Sequence, residues 1–416
     1  MAKTQNKPPR LIVFDVEGVL LPKKRYLLFE VGRGLSFPEF IKIIFFGFLY
    51  ELGLISLKSA LKHVFKAFKG IHASELLKIF RQVPLMPGAE EVFEQLRSEG
   101  WKSALISSGL PTVVVQDLAR RLRVTYAYGL ELEVKDNVLT GEIWGEVIER
   151  KGKLLVLKKI LETEKLASKD CVVVADDRNN APIFLPEMLK IGYNPDFAVR
   201  VKADTVVNGK LREILPPIQG KPREKEAIPS KHEIFRETIH GCGFFIPLLC
   251  IYLGLYAVAL FIFIITLLYV MSELARMERK NLPILSSITL KAATQSELYE
   301  FATAPIFFAL GILLTLLLFP FPASSAAIAI FALGDSTASI FGRIYGRKTL
   351  PFNKGKTLEG SMIGFVFALL AGTFYTIPFK SLVGAVVAMV VECSPLPLND
   401  NLVTPLITGA ALTLML

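Results

Sequence analysis

The sequence predicts two unlike parts: an α/β, doubly wound, Rossmann-like domain with a helical cap, followed by an all-α polytopic membrane domain of about seven helices. Charged residues are spread evenly up to about position 240 and become sparse beyond it. The second half also contains two runs without any charged residue, 242–271 and 301–334. A single membrane-spanning helix needs only about twenty apolar residues, so these runs are long enough for membrane helices.

Composition narrows the classes of function. Of the 416 residues, 52% are hydrophobic, and the net charge is +10. The basic residues cluster beside apolar segments without a nucleic-acid-binding motif, so we expect anionic lipid headgroups and a nucleotide as partners rather than nucleic acid. The four cysteines form no CxxC pair, which argues against zinc and against a disulfide framework. The polar residues 1–10 predict no cleavable signal peptide and a first domain in the cytoplasm.

Three short segments of the first half are typical of buried parallel strands that end in polar side chains. Residues 11–14 end in an acidic turn, 101–109 in hydroxyls and 170–177 in paired acids. The carboxyl ends of parallel strands lie at one edge of a sheet, so we expect these polar ends to meet. Helical patterns recur between them, at 89–99, 112–122 and 153–162.

The order of these strand ends, with a lysine between the hydroxyl and the paired acids, resembles haloacid-dehalogenase-type phosphatases. Within that superfamily the sequence is similar to the phosphoserine-phosphatase-like branch. The resemblance implies that Asp15 is the nucleophile that becomes an aspartyl-phosphate and that Glu17 is the general acid and base. Ser107 would bind the phosphoryl oxygens. Lys153, or else Lys151, would neutralise the developing charge.

The resemblance covers about residues 11–203 and also implies a Mg²⁺ site. The sequence departs from the family at two positions. Glu17 stands where the family usually has aspartate, and Asn180 stands where its last motif has a second acid, for which Asp177 could compensate. A working phosphatase and a degenerate domain kept for regulation or assembly both remain open. The implied metal ligands are Asp15, Asp176 and Asp177.

Composition also predicts the domain boundaries. The phosphatase-like domain would span 1–215, with a helical cap inserted at about 22–87, after the first strand. Prolines, a glycine and basic residues then mark a linker at 216–230. The membrane domain would occupy 231–416.

Breaks within the two uncharged runs favour two helices in each. Gly254 interrupts the first run, and Pro320 and Pro322 interrupt the second. If each run is a hairpin of two spans, the basic segments after the runs lie on the cytoplasmic side, as the positive-inside rule requires. The prediction is an integral, multi-pass membrane protein with a cytoplasmic N-terminal domain and an external C-terminus. Three further apolar segments bring the count to seven, at 361–379, 381–391 and 401–416.

Four polar motifs lie beside the apolar runs in a fixed order. They read GDxxAS from Gly334, GRxxGR from Gly342, KTLEGS from Lys356 and DNLxxP from Asp400. Charge at a membrane marks a functional site, and glycines with basic and acidic residues suit nucleotide phosphates and Mg²⁺. Together the motifs resemble the integral-membrane dolichol kinase and phytol kinase family, which uses CTP as phosphoryl donor. The resemblance covers about residues 231–416.

Phosphoryl transfer depends on positioning and on charge neutralisation, and these needs suggest roles. Asp335, with Glu359 or Asp400, would hold Mg²⁺ on the triphosphate. Either Glu359 or Asp400 would accept the proton of the alcohol. Candidate phosphate ligands are Arg343, Arg347, Lys354 and Lys356, and candidate hydrogen-bond donors to the nucleotide or the alcohol are Ser336, Thr357 and Asn401.

The segment 231–240 places Glu233, Arg236, Glu237 and His240 at helical spacings on one face. Arg236 and His240 could meet a phosphate there. An ordinary juxtamembrane helix with solvated charges explains the same spacing equally well.

The preferred interpretation is a two-part membrane enzyme. A cytoplasmic, Mg²⁺-dependent phosphatase-like domain would be fused to a CTP-dependent kinase of dolichol, phytol, geranylgeraniol or a similar isoprenoid alcohol. One alternative is a cytidylyltransferase that makes a CDP-lipid from a lipid phosphate. The other is a membrane scaffold with a degenerate phosphatase domain. The bilayer, a nucleotide triphosphate and an isoprenoid alcohol or lipid phosphate are the expected partners, and the oligomeric state stays open.

Overall fold

A computed structural model divides the chain into two compact units, residues 1–223 and 224–416. It describes residues 10–22, 37–51, 55–221, 229–277, 280, 283–292, 298, 301–351, 353, 355–394 and 399–415.

The first unit contains one sheet. Its strands are β1 (Arg10–Phe14), β2 (Trp101–Pro111), β3 (Tyr126–Lys135), β4 (Val138–Trp144), β5 (Cys171–Ala175), β6 (Leu189–Tyr193) and β7 (Thr205–Val207). The order is β4-β3-β2-β1-β5-β6-β7, and all neighbours are parallel except the antiparallel pair β3 and β4. The central strands are continuous apolar runs, as expected for strands covered on both faces. The predicted α/β sheet is therefore confirmed.

Helices alternate with the strands of this sheet. They are α1 (Phe37–Glu51), α2 (Leu57–Lys66), α3 (Ala73–Gln82), α4 (Ala89–Ser98), α5 (Thr112–Leu122), α6 (Gly152–Glu164), α7 (Phe197–Lys202) and α8 (Leu215–Ile218). The three helical patterns of the sequence appear as α4, α5 and α6. Their apolar faces pack in the same core as β1, β2 and β5.

Helices α1 to α3 follow β1 within the segment predicted to be a cap. The Ser56 side chain accepts a hydrogen bond from the Ser59 N–H and so caps α2. The ring of His63 on α2 stacks on Phe46 of α1, with centroids 3.6 Å apart. His63 is thus a packing residue.

Most of the described residues of the second unit lie in helices. Its helices are α9 (Lys231–Cys242), α10 (Ile246–Leu253), α11 (Leu255–Met277), α12 (Pro283–Ala292), α13 (Ala304–Leu318), α14 (Phe321–Tyr345), α15 (Leu358–Thr373), α16 (Pro378–Cys393) and α17 (Asp400–Thr413). The expected breaks are present. Gly254, with φ of +85°, separates α10 from α11, and Pro320 directly precedes α14.

Three helical stretches among the described residues are long and apolar enough to cross a membrane: Lys231–Leu253, Leu255–Met277 and Phe321–Tyr345. The apolar helices α13 and α15 are shorter. The first stretch begins at residue 231, so it includes the charged residues of α9, which the sequence had placed before the first span. Seven spans therefore stay a prediction.

The glycines of the polar motifs bring α14 and α15 close together. A Cβ atom at position 360 would lie 2.6 Å from Gly342 Cα, and one at position 364 would lie 2.7 Å from Ala338 Cβ. Small residues at four-residue spacing allow this approach between membrane helices. Gly342 and Gly360 of these motifs, together with Gly364, therefore serve helix packing.

Candidate functional site

In the first unit the predicted nucleophile lies at the end of β1. Asp15 is buried, and its N–H donates to Val174 O on β5 at 3.0 Å. Lys153 Nζ donates to Asp15 Oδ1 at 2.9 Å and to Asn180 Oδ1 at 2.8 Å. The alternative residue, Lys151, is exposed immediately before α6. The structure thus brings Lys153, and not Lys151, to Asp15.

Asn180 closes this arrangement, because it contacts both Asp15 and Lys153. Its Nδ2 donates to Asp15 Oδ2 and, at 3.0 Å, to Asp177 Oδ1. The residue is fully buried. The sequence marked Asn180 as a departure from the family, but in the structure it joins Asp15, Lys153 and Asp177 in one hydrogen-bonded group.

Glu17 faces the same site from the turn after β1. Ser107 Oγ donates to Glu17 Oε2 at 2.8 Å, and the Leu110 N–H donates to Ser107 Oγ at 2.8 Å. A Cβ atom at position 109 would lie 2.2 Å from Glu17 Oε1. The longer side chain of Glu17 therefore occupies space that Gly109 leaves open. Ser107 lies inside β2 rather than after it, where the pairing with β3 shifts register.

Burial and charge shift the pKa values of two groups at this site. Burial raises the pKa of the Glu17 carboxyl, and the negative charge of Asp15 raises it further. Burial alone would lower the pKa of Lys153, but the carboxylates of Asp15, Asp177 and Glu17 raise it overall. Both shifts favour a protonated side chain near neutral pH.

Three carboxylates of this site suit a metal ion. One oxygen each from Asp15, Asp176 and Asp177 lies within 4.8 Å of the others. Oxygen ligands of this kind are those that Mg²⁺ prefers. At Gly18, whose φ is +82°, a Cβ atom would lie 2.1 Å from Asp176 Oδ2, so only glycine leaves room for this ligand. The donor set therefore fits Mg²⁺.

A second polar cluster lies among the helices of the second unit. It surrounds Asp335, a buried residue ten positions before the end of α14. Lys356 Nζ lies 3.9 Å from Asp335 Oδ1 and 3.9 Å from Asp400 Oδ2, and it forms a closer ion pair with Glu392. His240 Nδ1 lies 3.5 Å from Asp335 Oδ2. The structure thus joins residues of the first, third and fourth polar motifs.

Lys356 lies in the segment between α14 and α15, and its environment is strongly acidic. Burial alone would lower its pKa, but the charges of Glu392, Asp335 and Asp400 raise it overall. Lys356 therefore stays positively charged at neutral pH.

Two members of this cluster were missed by the motifs. Glu392 is buried near the end of α16, and Glu237 is buried on α9, where Arg236 donates to its Oε1 at 3.1 Å. Glu392 follows eleven residues without charge in the sequence, 381–391. A carboxylate at the end of an apolar run is a signal that could have identified it.

Other predicted residues of the second unit make structural contacts. Glu359 accepts hydrogen bonds from the backbone N–H groups of Arg347 (3.0 Å) and Lys348 (3.2 Å). Thr357 caps α15 by accepting from the Gly360 N–H at 3.3 Å. These contacts hold the turn between α14 and α15.

The remaining candidates are distributed around the cluster. Arg343 and Arg347 are exposed, and Arg343 pairs with Glu233 Oε1 at 2.5 Å. Asn401 is buried in the first turn of α17. The Ser336 hydroxyl donates within its own helix, to Ala332 O at 2.6 Å. Lys354 lies outside the described residues.

Comparisons with known proteins concern the first half of the chain. The family model of haloacid dehalogenase-like hydrolases matches residues 12–182. Phosphoserine phosphatase of Methanocaldococcus jannaschii is 28% identical over 214 residues, which are 51% of this chain and 99% of that enzyme. Phosphoserine phosphatase of Archaeoglobus fulgidus is 30% identical over 203 residues, 48% of this chain and 57% of that enzyme.

A solved structure is also similar to the first half of the chain. A phospho-aspartyl intermediate analogue of phosphoserine phosphatase is 27% identical and covers 51% of this chain and 99% of its own, with a TM-score of 0.46. The family match and the sheet show that the first unit contains a haloacid dehalogenase-like hydrolase domain, which is similar to phosphoserine phosphatases.

Proposed function

We propose that the first unit hydrolyses a phosphate monoester through a covalent intermediate on Asp15. One observation carries the proposal: Asp15 is buried between Lys153 and Asn180, with the Glu17–Ser107 pair facing the same site. The relatives named phosphoserine phosphatase make O-phosphoserine the first substrate to test.

The chemistry follows from these contacts. An Asp15 carboxylate oxygen attacks phosphorus, and the bond between phosphorus and the leaving oxygen breaks. Glu17, whose raised pKa favours the protonated form, donates its proton to that leaving oxygen. Lys153 and Ser107 stabilise the charge on the phosphoryl oxygens. Mg²⁺ held by Asp15, Asp176 and Asp177 would supply further positive charge to those oxygens.

The second step returns the domain to its starting state. Glu17, now a carboxylate, takes a proton from a water molecule, and that water attacks phosphorus. The bond between phosphorus and Asp15 breaks, inorganic phosphate leaves, and both side chains are restored.

Hydrolysis by the purified full chain tests this proposal. We expect Mg²⁺-dependent release of phosphate from p-nitrophenyl phosphate or O-phosphoserine, and a loss of at least about 10³-fold in Asp15→Asn. Asp117→Asn is the matched control and should stay active. It removes the carboxylate on α5 that forms an ion pair with Arg81 on α3. Equal activity of Asp15→Asn and the unaltered chain would exclude the covalent route.

For the second unit we propose CTP-dependent phosphorylation of an isoprenoid alcohol at a membrane, with the first unit in the cytoplasm. The cluster that unites Asp335, Lys356 and Asp400 supports this proposal, because these residues come from three of the motifs that resemble dolichol and phytol kinases. The alcohol oxygen would attack the γ-phosphorus of CTP, Asp400 would accept the alcohol proton, and CDP would leave. Lys356, with Arg343, Arg347 and Lys354, would neutralise phosphate charge.

Labelled CTP separates the alternatives. Full chain carrying Asp15→Asn, so that the product is not hydrolysed, is given γ-labelled CTP, Mg²⁺ and a panel of isoprenoid alcohols in vesicles. Label in the lipid with release of CDP supports the kinase, and Asp335→Asn should abolish it. With a lipid phosphate in place of the alcohol, release of labelled pyrophosphate from CTP and formation of a CDP-lipid would identify a cytidylyltransferase, and neither product would favour a scaffold.

A further inference from the structure

The side chains of Glu237, His240 and Asp335 converge in the second unit. One ligand atom from each lies within 4.8 Å of the others. Glu237 and His240 are three positions apart on α9, and Asp335 faces them from α14. All three are buried, at 5%, 8% and 9% of their full exposure. None of the four polar motifs contains Glu237 or His240.

Two neighbours fix the geometry of this group. The His240 ring stacks on Phe308 of α13, with centroids 4.4 Å apart and planes at 11°. Arg236 holds one oxygen of Glu237, Oε1. The other oxygen, Oε2, is buried and makes no hydrogen bond within the part of the chain that the structure describes. A buried carboxylate oxygen without a hydrogen bond is costly, and a cation would supply the missing partner.

We propose that Glu237, His240 and Asp335 bind a divalent first-row transition metal ion such as Mn²⁺ or Zn²⁺. The imidazole nitrogen decides the class of ion, because Mg²⁺ and Ca²⁺ favour oxygen ligands whereas Mn²⁺, Fe²⁺ and Zn²⁺ also accept imidazole. Three protein ligands leave at least one position open, as in catalytic sites. The use of this ion in phosphoryl transfer rests on the proposed kinase function, whereas its binding does not.

Metal binding by the full chain tests the proposal without CTP or alcohol. The Asp15→Asn, Asp176→Asn background removes two acids of the first unit's site. We titrate this protein in detergent with Mn²⁺ and count bound ions by electron paramagnetic resonance. One tightly bound ion is expected, with affinity lowered at least tenfold in Glu237→Gln, His240→Gln and Asp335→Asn. His232→Gln, a histidine change on the same helix outside the group, should bind as before.

A second measurement needs no variant of the cluster. The three carboxylates in the first unit's site contain no histidine, so nitrogen coupling to bound Mn²⁺ in pulsed spectra of ¹⁵N-histidine-labelled protein identifies imidazole ligation in the second unit. Absence of that coupling, unchanged affinity in all three variants, or tighter binding of Mg²⁺ than of Mn²⁺ would each overturn the proposal. If Mn²⁺ binds but nothing is transferred from CTP, the kinase proposal is refuted and the metal-site proposal stands. If transfer from CTP occurs but Mn²⁺ does not bind, the metal-site proposal is refuted and the kinase proposal stands.

Discussion

The two charged clusters of this chain both pair a lysine with carboxylates, but they do so on different scaffolds. In the first unit, Lys153 donates directly to Asp15 at 2.9 Å, and hydrogen bonds from Asn180 complete the group. In the second, Lys356 is close to Glu392 but stands 3.9 Å from both Asp335 and Asp400. The first cluster is closed by direct contacts, whereas the second leaves separations that a cation or a phosphate could bridge.

This difference follows from how each scaffold positions its side chains. The sheet places Asp15 by register, since β1 lies between β2 and β5 and its end faces theirs. The helices place Asp335 by close approach, since small residues let α14 and α15 touch. A sheet thus brings together strand ends that are visible in the sequence, and a helical bundle brings together residues from scattered positions.

The largest effect is expected from Lys153→Met. Loss of the ammonium removes both the hydrogen bond to Asp15 and the charge that faces the phosphoryl oxygens, so kcat should fall about 10³-fold. Hydrolysis of p-nitrophenyl phosphate by the purified chain measures it. Lys151→Met is the matched control two residues away, and activity lost equally in both variants would contradict the geometry.

In the second cluster, Lys356→Met should act first on stability. The change leaves Glu392 and Asp335 buried without their cation, and breaking a buried pair in this way costs about 3–5 kcal/mol. Thermal unfolding in detergent should therefore show a clearly lowered midpoint, while the exposed neighbour change Lys348→Met should not. An unchanged midpoint would mean that Lys356 does not neutralise the cluster.

A smaller effect should come from Gly109→Ala. The new Cβ would lie 2.2 Å from Glu17 Oε1, so the acid must move, and a displacement of about 1 Å costs up to about 10²-fold in rate. Gly47→Ala, which meets nothing within 4 Å, should leave hydrolysis unchanged. Full activity of Gly109→Ala would argue against Glu17 as the proton donor.

Strand ends are the part of the first unit's site that the sequence could predict. Asp15 and Asp176 directly follow β1 and β5, and parallel pairing dictates that such ends meet. Ser107 lies within β2 and Lys153 in the first turn of α6, and the family resemblance supplied both. The hydrogen bonds of Asn180 to Asp15, Lys153 and Asp177 were not predicted. A residue that differs from the family's usual one shows only that the position has changed, and it does not show which hydrogen bonds the new side chain makes.

In the second unit the motifs predicted Asp335, Lys356 and Asp400 but not Glu237 or Glu392. These two depend on which helix faces pack together, and sequence spacing within one helix does not fix its neighbours. The helix contacts of the motif glycines Gly342 and Gly360 were missed for the same reason.

The smallest effect on stability is expected from Arg343→Gln. Its ion pair with Glu233 lies at the surface, where such pairs contribute at most about 1 kcal/mol, so the unfolding midpoint should hardly change. If Arg343 binds a phosphate of CTP, the KM for CTP should rise about tenfold, equivalent to about 1.4 kcal/mol. Glu233→Gln breaks the same ion pair but keeps the guanidinium, and it should leave KM unaltered. Equal KM values for both variants and the unaltered chain would confine Arg343 to its surface ion pair, so that phosphate recognition would depend on the inner cluster around Lys356.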